Sequence, residues 1–196
     1  MMLTCTEKFI DGIVGGLDLA ASSKRCSGFA VININTMTLE ATKCLYDDPD
    51  IVREVVESRV KILSVDAPLI EVPVYRAVDK LSRIRGYSVL PPTLGPMRKL
   101  VERAWRLKNT LEALGVEIIE THPRSVLKSS RAKNIRELLD IIGLKYSNIS
   151  IEKLNRDQID SIIAAIVAYC YSTKHCIDRV EAEDGLIYLI KPIKNV

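Results

Sequence analysis

The chain has 196 residues, 47% of them hydrophobic and 27% charged, with a net charge of +3. That length allows one well-buried core and is too short for two full domains, and the composition excludes wholesale disorder. The longest apolar run, Ile162 to Tyr171, is too short to span a bilayer.

Residues 1–11 read as a flexible tail, ahead of a single domain over 12–196. Gly12 to Ala20 reads as a first strand, Ser22-Ser23-Lys24-Arg25 as a polar turn, Gly28 to Ile34 as a second strand and Leu39 to Tyr46 as a third. The short polar breaks between them predict an antiparallel meander. A helix follows to about Ser58, with Asp48 as its expected N-cap and Pro49 at its first position. Val60 to Asp66 is a continuous apolar run, as expected of a buried central strand.

From 68 to 96 the pattern breaks into a proline-rich insertion holding one short helix near Arg76 to Arg85. Insertions of this length in compact domains are usually functional or disordered. Met97 to Leu114 is the next helix, ended by Gly115. Val116 to Glu120 is a fifth strand, Lys133 to Ile142 a helix ended by Gly143, and Asn155 to Ser172 the last long helix, with Ile187 to Ile190 a final strand or an edge add-on. Three strands in a meander, then strands alternating with helices, is the layout of the RNase H-like fold: an α/β domain with a mixed sheet flanked by helices.

Charge is unevenly spread. Between Arg76 and Lys108 nine basic residues face only Asp79 and Glu102, so this segment carries +7 and the remainder −4. A localised basic stretch fits a polyanion, or simply a solvated helix face. The five cysteines, Cys5, Cys26, Cys44, Cys170 and Cys176, form no CxxC pair. With no secretory signal visible, they read as free thiols in a cytoplasmic, reducing compartment.

Acidic residues mark the candidate site. Asp18 lies late in the first strand after Gly15-Gly16, Asp66 ends the fourth, and Glu120 ends the fifth. An aspartate inside an apolar strand faces a steep desolvation cost unless something offsets it. In an RNase H-like sheet the first and fourth strands are neighbours, about 4.8 Å apart, so Asp18 and Asp66 can reach one cation. Asp157 and Asp160 lie one turn apart at the head of the last helix, in a stripe with Ala164 and Ala168 beside an apolar face of Ile159, Ile162, Ile163, Ile166, Val167 and Cys170. Carboxylates gathered this way are hard oxygen ligands for Mg²⁺ or Mn²⁺. A helix cap, a strand-end turn or the helix dipole accounts for any one of them alone. His122 reads as a general base, a substrate contact or a satisfied loop histidine, and Arg124 as a phosphate contact or a partner of Glu120. No zinc spacing of Cys and His occurs, and no GxxxxGK[ST] loop.

Several segments resemble the family named domain of unknown function 429, predicted to be RNase H-like nucleases. They are GLDLAASSKRCSGFAVI at 16–32, SVDAPL at 64–69, RGYSVLPP at 85–92, MRKL with ERAWRLKNTLEALG at 97–115, IIETHPRS at 118–125 and DQIDSIIAAIVAY at 157–169. The Asp-x-x-Asp ahead of an alanine-rich helix is also similar to the last motif of the RuvC-type Holliday-junction resolvases. The resemblance implies catalytic roles for Asp18, Asp66, Asp157, Asp160 and Glu120, the first four holding two Mg²⁺ or Mn²⁺ ions. It departs from the family at Ser161, where alanine is commoner.

The function expected is metal-dependent hydrolysis of phosphodiester bonds in DNA or RNA, with Lys24, Arg83, Arg85, Arg98, Arg103, His122 and Arg124 contacting substrate. The alternatives are a non-catalytic nucleic-acid-binding protein of the same fold, a hydrolase of small phosphoesters, or an actin-like ATPase, which would need a second such domain. A junction resolvase would act as a dimer.

Overall fold

The computed structural model describes residues 12–192, so the expected tail lies outside the described residues. The first three strands, β1 (Ile13–Asp18), β2 (Ser27–Asn33) and β3 (Thr38–Leu45), form the antiparallel meander, and β4 (Val60–Val65) and β5 (Glu117–Glu120) add in parallel. The sheet order is β3-β2-β1-β4-β5. The strands β1 and β4 are thus central and apolar on both faces, as their sequences predict.

Helices cover both faces. On one lie α1 (Asp48–Glu57) and α3 (Gly95–Ala113), which bury Ile51, Val55, Leu107 and Leu111 against Leu17, Phe29, Leu63 and Val65. The other carries α6 (Arg156–Thr173), whose Ile162, Ile163 and Ile166 pack with Val14, Ile32 and Ile62. The insertion supplies α2 (Ala77–Ile84), close to the position expected. The helix α5 (Ile135–Ile142) is capped by Asn134 and ended by Gly143 in the left-handed conformation at φ 81°.

Five expectations need correction. The N-cap of α1 is Asp47, whose Oδ1 accepts from the Asp50 amide at 2.8 Å, and Asp48 is left free to pair with Arg103 at 2.6 Å. A helix α4 (Pro123–Ser130) follows β5 where none was expected; Pro123 at its first position was the available signal. The last expected strand is found as β7 (Gly185–Ile190), but it pairs with a strand that was not expected, β6 (Ile177–Ala182), in a separate hairpin closed at Ala182↔Gly185 across the two turn residues Glu183 and Asp184. The helix α6 buries more than the one apolar face expected of it: residues 161–170 are all buried, since α4, α5 and the hairpin cover the face turned from the sheet.

The fifth concerns the thiols. Cys26 is bonded to Cys44 and Cys170 to Cys176; Cys5 lies outside the described residues. Cys44 sits opposite Gly28 on the neighbouring strand, within reach of Cys26, a proximity set by β2–β3 pairing rather than by spacing along the chain. The expectation of free thiols, and the reducing compartment inferred from it, therefore loses its ground. Among the described residues no helix is long and apolar enough to cross a membrane.

Candidate active site

Strand parity aims the acids. Side chains alternate across a sheet, so Val14, Gly16 and Asp18 of β1 share one face, as do Ile62, Ser64 and Asp66 at β4. The register sets Gly16 beside Ser64 and Leu17 beside Val65, which makes Asp18 and Asp66 the next neighbours; the Asp66 amide donates to the Leu17 carbonyl at 2.8 Å. Val14 and Ile62 belong to the core under α6, so both aspartates emerge on that side, at the carboxyl ends of adjacent parallel strands.

The helix α6 reaches them because the strands beneath it carry glycine. A Cβ on Gly16 would lie 2.1 Å from the Ala165 amide nitrogen and 2.2 Å from the Ser161 carbonyl oxygen, and one on Gly28 would lie 1.9 Å from the Asp157 carbonyl oxygen. Only hydrogen fits at either place. The N-terminus of α6 is held by a capping box in which the Asn155 side chain accepts from the Gln158 amide at 2.9 Å and Gln158 returns the bond. The first turn therefore presents Asp157 and Asp160 at the ends of β1 and β4.

Asp18, Asp66, Asp157 and Asp160 all line one cleft of about 340 Å³. Burial first, then the charges of Asp160 and Asp157, pushes the Asp18 carboxyl up from 3.8 to about 7. Asp66 is raised well above the usual carboxylate range by burial and then by Asp18, and Asp160 is raised chiefly by burial. Arg156 sits 3.5 Å from Asp160 and offsets part of this field.

An excess of negative charge in a half-buried cleft calls for a cation. The donors are carboxylate oxygens, which suit hard divalent ions such as Mg²⁺ or Mn²⁺. Among the described residues no three His, Cys, Asp or Glu side chains close into a metal-binding group. The donor chemistry fits such an ion.

Glu120 is differently placed. It pairs in register with Val65 and shares parity with Ile118, one residue out of phase with Asp66, yet with Arg76 it still lines the same cleft. There its oxygens take two bonds from Arg76, at 2.6 and 2.8 Å, and one from the Leu69 amide at 2.9 Å. Arg76 also holds Asp79 at 2.8 Å, and all three groups are buried. Burial opposes the charge on Arg76, but its bonds to Glu120 and Asp79 keep its proton in place. Glu120 thus clamps the root of the insertion to β5 instead of standing free as a ligand.

The basic residues expected to touch substrate divide. Arg124 lines the cleft, and His122 lies beside it with Nδ1 2.6 Å from the Ser125 hydroxyl. Burial, then Arg124, lowers the His122 pKa to about 4. Arg103 is buried and bonded to Asp48 and to the carbonyls of Ala20 and Tyr46, a tie between α3 and the ends of β1 and β3. Arg85 donates to the Arg179 carbonyl and Arg83 to the Tyr75 hydroxyl, so both serve the insertion. Lys24 and Arg98 are exposed and line no part of this cleft. Sequence reasoning missed Arg25 and Arg156, both exposed, and the 88–90 stretch, all of which line the cleft. Both arginines sit next to motif residues, and that adjacency was the available signal.

By structure the chain is similar to T. thermophilus RuvC in complex with Holliday junction substrate, with a TM-score of 0.50 and 13% identity over 82% of this chain and 94% of that one. The Thermus thermophilus RuvC structure matches with a TM-score of 0.51 and 12% identity over 81% and 95%. The fold is RNase H-like. No protein-family model matches the chain, and no curated protein matches it by sequence.

Proposed function

We propose that the chain is a divalent-metal-dependent nuclease that hydrolyses phosphodiester bonds in nucleic acid. The carrying observation is that Asp18, Asp66, Asp157 and Asp160, drawn from β1, the end of β4 and α6, line one cleft edged by Arg25, Arg124 and Arg156. The motif resemblance to the family of domain 429 supports the reading. So does the likeness to RuvC, one structure of which is a complex with Holliday junction substrate.

In this reading the four aspartates hold Mg²⁺ or Mn²⁺, two ions in all, which would supply Lewis-acid stabilisation of charge developing on the phosphate. The chain's own groups do the rest. The planar guanidinium groups of Arg25, Arg124 and Arg156 grip non-bridging phosphate oxygens. His122 is neutral at physiological pH, with Nδ1 hydrogen-bonded to the Ser125 hydroxyl, and so adds an uncharged imidazole to the cleft.

The test is cleavage of labelled single- and double-stranded DNA, RNA, RNA–DNA hybrid and a four-way junction with Mg²⁺, Mn²⁺ or EDTA. Wild type cuts at least one substrate only with metal, and Asp18→Asn and Asp160→Asn do not. A metal-dependent, fully active Asp18→Asn protein refutes the mechanism. Salt-sensitive binding without cutting by any form replaces it with the non-catalytic binding protein.

A further inference from the structure

The lining of the cleft is mixed in chemistry. Besides the aspartates and arginines it includes Val89 and Leu90 of the insertion and Met97 and Leu100 of α3. Leu90 is 59% exposed, an apolar side chain left in water at the cleft, although the insertion that carries it is clamped at its root by Arg76 and Glu120. Its covering by an apolar or aromatic group of the substrate would be favourable.

The dimensions narrow what can cover it. At about 340 Å³ the cleft lies near the bottom of the range for pockets that hold one small molecule, roughly 300–1,000 Å³. It has room for one nucleotide and none for a stacked run of base pairs. Asp18 and Asp66 lie at the ends of central strands, largely covered, so a scissile phosphate must descend to meet them. A base lays its face on Val89 and Leu90 only after leaving its stack, a cost that is least for an already unpaired strand.

Building on the nuclease reading, we propose that the substrate enters with one unpaired nucleotide, its phosphate toward the aspartates and arginines and its base against Val89 and Leu90. The substrate class is therefore single-stranded nucleic acid, or duplex interrupted by unpaired residues. No Phe, Tyr or Trp side chain lines the cleft, and Ser88, Thr121 and the neutral His122 are the uncharged hydrogen-bonding side chains there, so base identity is read weakly.

The test uses the full chain and three fluorescein-labelled probes: a single strand, the same strand in a continuous duplex, and that duplex with an unpaired internal loop. Cleavage is followed with Mn²⁺ and binding with Ca²⁺. The single strand and the looped duplex are expected to be cut, and bound, at least about tenfold better than the continuous duplex. Leu90→Ser and Val89→Ser each shrink that ratio; Leu90 is exposed, so folding is not at stake in its variant. A continuous duplex handled as well as the single strand, or a ratio indifferent to both variants, overturns the inference. Turnover of bis(p-nitrophenyl) phosphate, which has no base, reports on the nuclease reading separately. If that ester and every strand are inert while binding still favours unpaired probes, the catalytic reading fails and the inference is supported. Turnover without any preference for unpaired strands sinks the inference alone.

Discussion

Replacing Asp18 by asparagine should stabilise the metal-free protein above neutral pH. The folded chain holds this carboxyl's proton up to about 7 against an ordinary 3.8, because burial and the charges of Asp160 and Asp157 disfavour ionisation. Between those values the folded state binds more protons than the unfolded one, so stability falls as pH rises through the window, and the loss is complete above about 7. At about 1.36 kcal/mol per pH unit, ionising near 7 instead of 3.8 sets a ceiling of about 4 kcal/mol. Asparagine keeps the shape and never ionises, and half or more of that ceiling is expected as gain. For a chain of this size each kcal/mol moves the melting temperature by about 2–4 °C, which gives roughly 4–16 °C. The assay is thermal unfolding of both proteins in EDTA at pH 4 and pH 8.5. The gap should be wide at pH 8.5 and nearly closed at pH 4. Added Mn²⁺ should then raise wild type more than the variant, because a ligand of the folded state stabilises by mass action. An asparagine variant no more stable than wild type at pH 8.5 in EDTA would refute the reasoning, since it would mean that the charge of Asp18 is already balanced within the protein.

Four further outcomes follow from the packing. Glu120→Gln should melt lower yet keep the wild-type Mn²⁺ midpoint, as a clamp does and a metal ligand does not; Arg76→Met, which strands Glu120 and Asp79 in the interior, should cost about 3–5 kcal/mol in denaturant unfolding. Gly16→Ala puts a methyl 2.1 Å from a backbone nitrogen of α6 and should cost at least about 3 kcal/mol, with loss of metal binding because Asp157 and Asp160 are pushed off the sheet; a near-native melt and Mn²⁺ midpoint would contradict that packing. Cys26→Ser opens a loop of 18 residues and should lower stability by about 3 kcal/mol on the loop-closure estimate, measured against the oxidised wild type; no difference would mean that the bond is not formed in solution.

The layered α/β plan was legible in the sequence because its signals are local. Two-residue alternation, the apolar run of β4, Gly115 and Gly143 after their helices, and the i, i+3, i+4 spacing of α6 each depend on residues close together in the chain. The grouping of Asp18, Asp66, Asp157 and Asp160 was legible for a related reason: strand ends and a helix start are positions that a layered sheet brings to one edge. The close approach of α6 was only half visible. The alanine stripe suggested it, but Gly16 and Gly28 make it possible, and neither is near α6 in sequence.

Other features depend on distance relations that no local pattern carries. Glu120 reads like Asp66, a strand-end acid, and lines the same cleft, yet Arg76, 44 residues away, takes both its oxygens. Arg103 reads as one more cation in a basic stretch, but three acceptors contributed by the chain ends of β1 and β3 and by Asp48 bury it. The cysteine pairs are joined by strand register and by the turn after α6. Periodicity and turn chemistry are short-range and survive in the bare sequence. Which charge finds which partner is settled only when segments far apart in the chain are packed side by side.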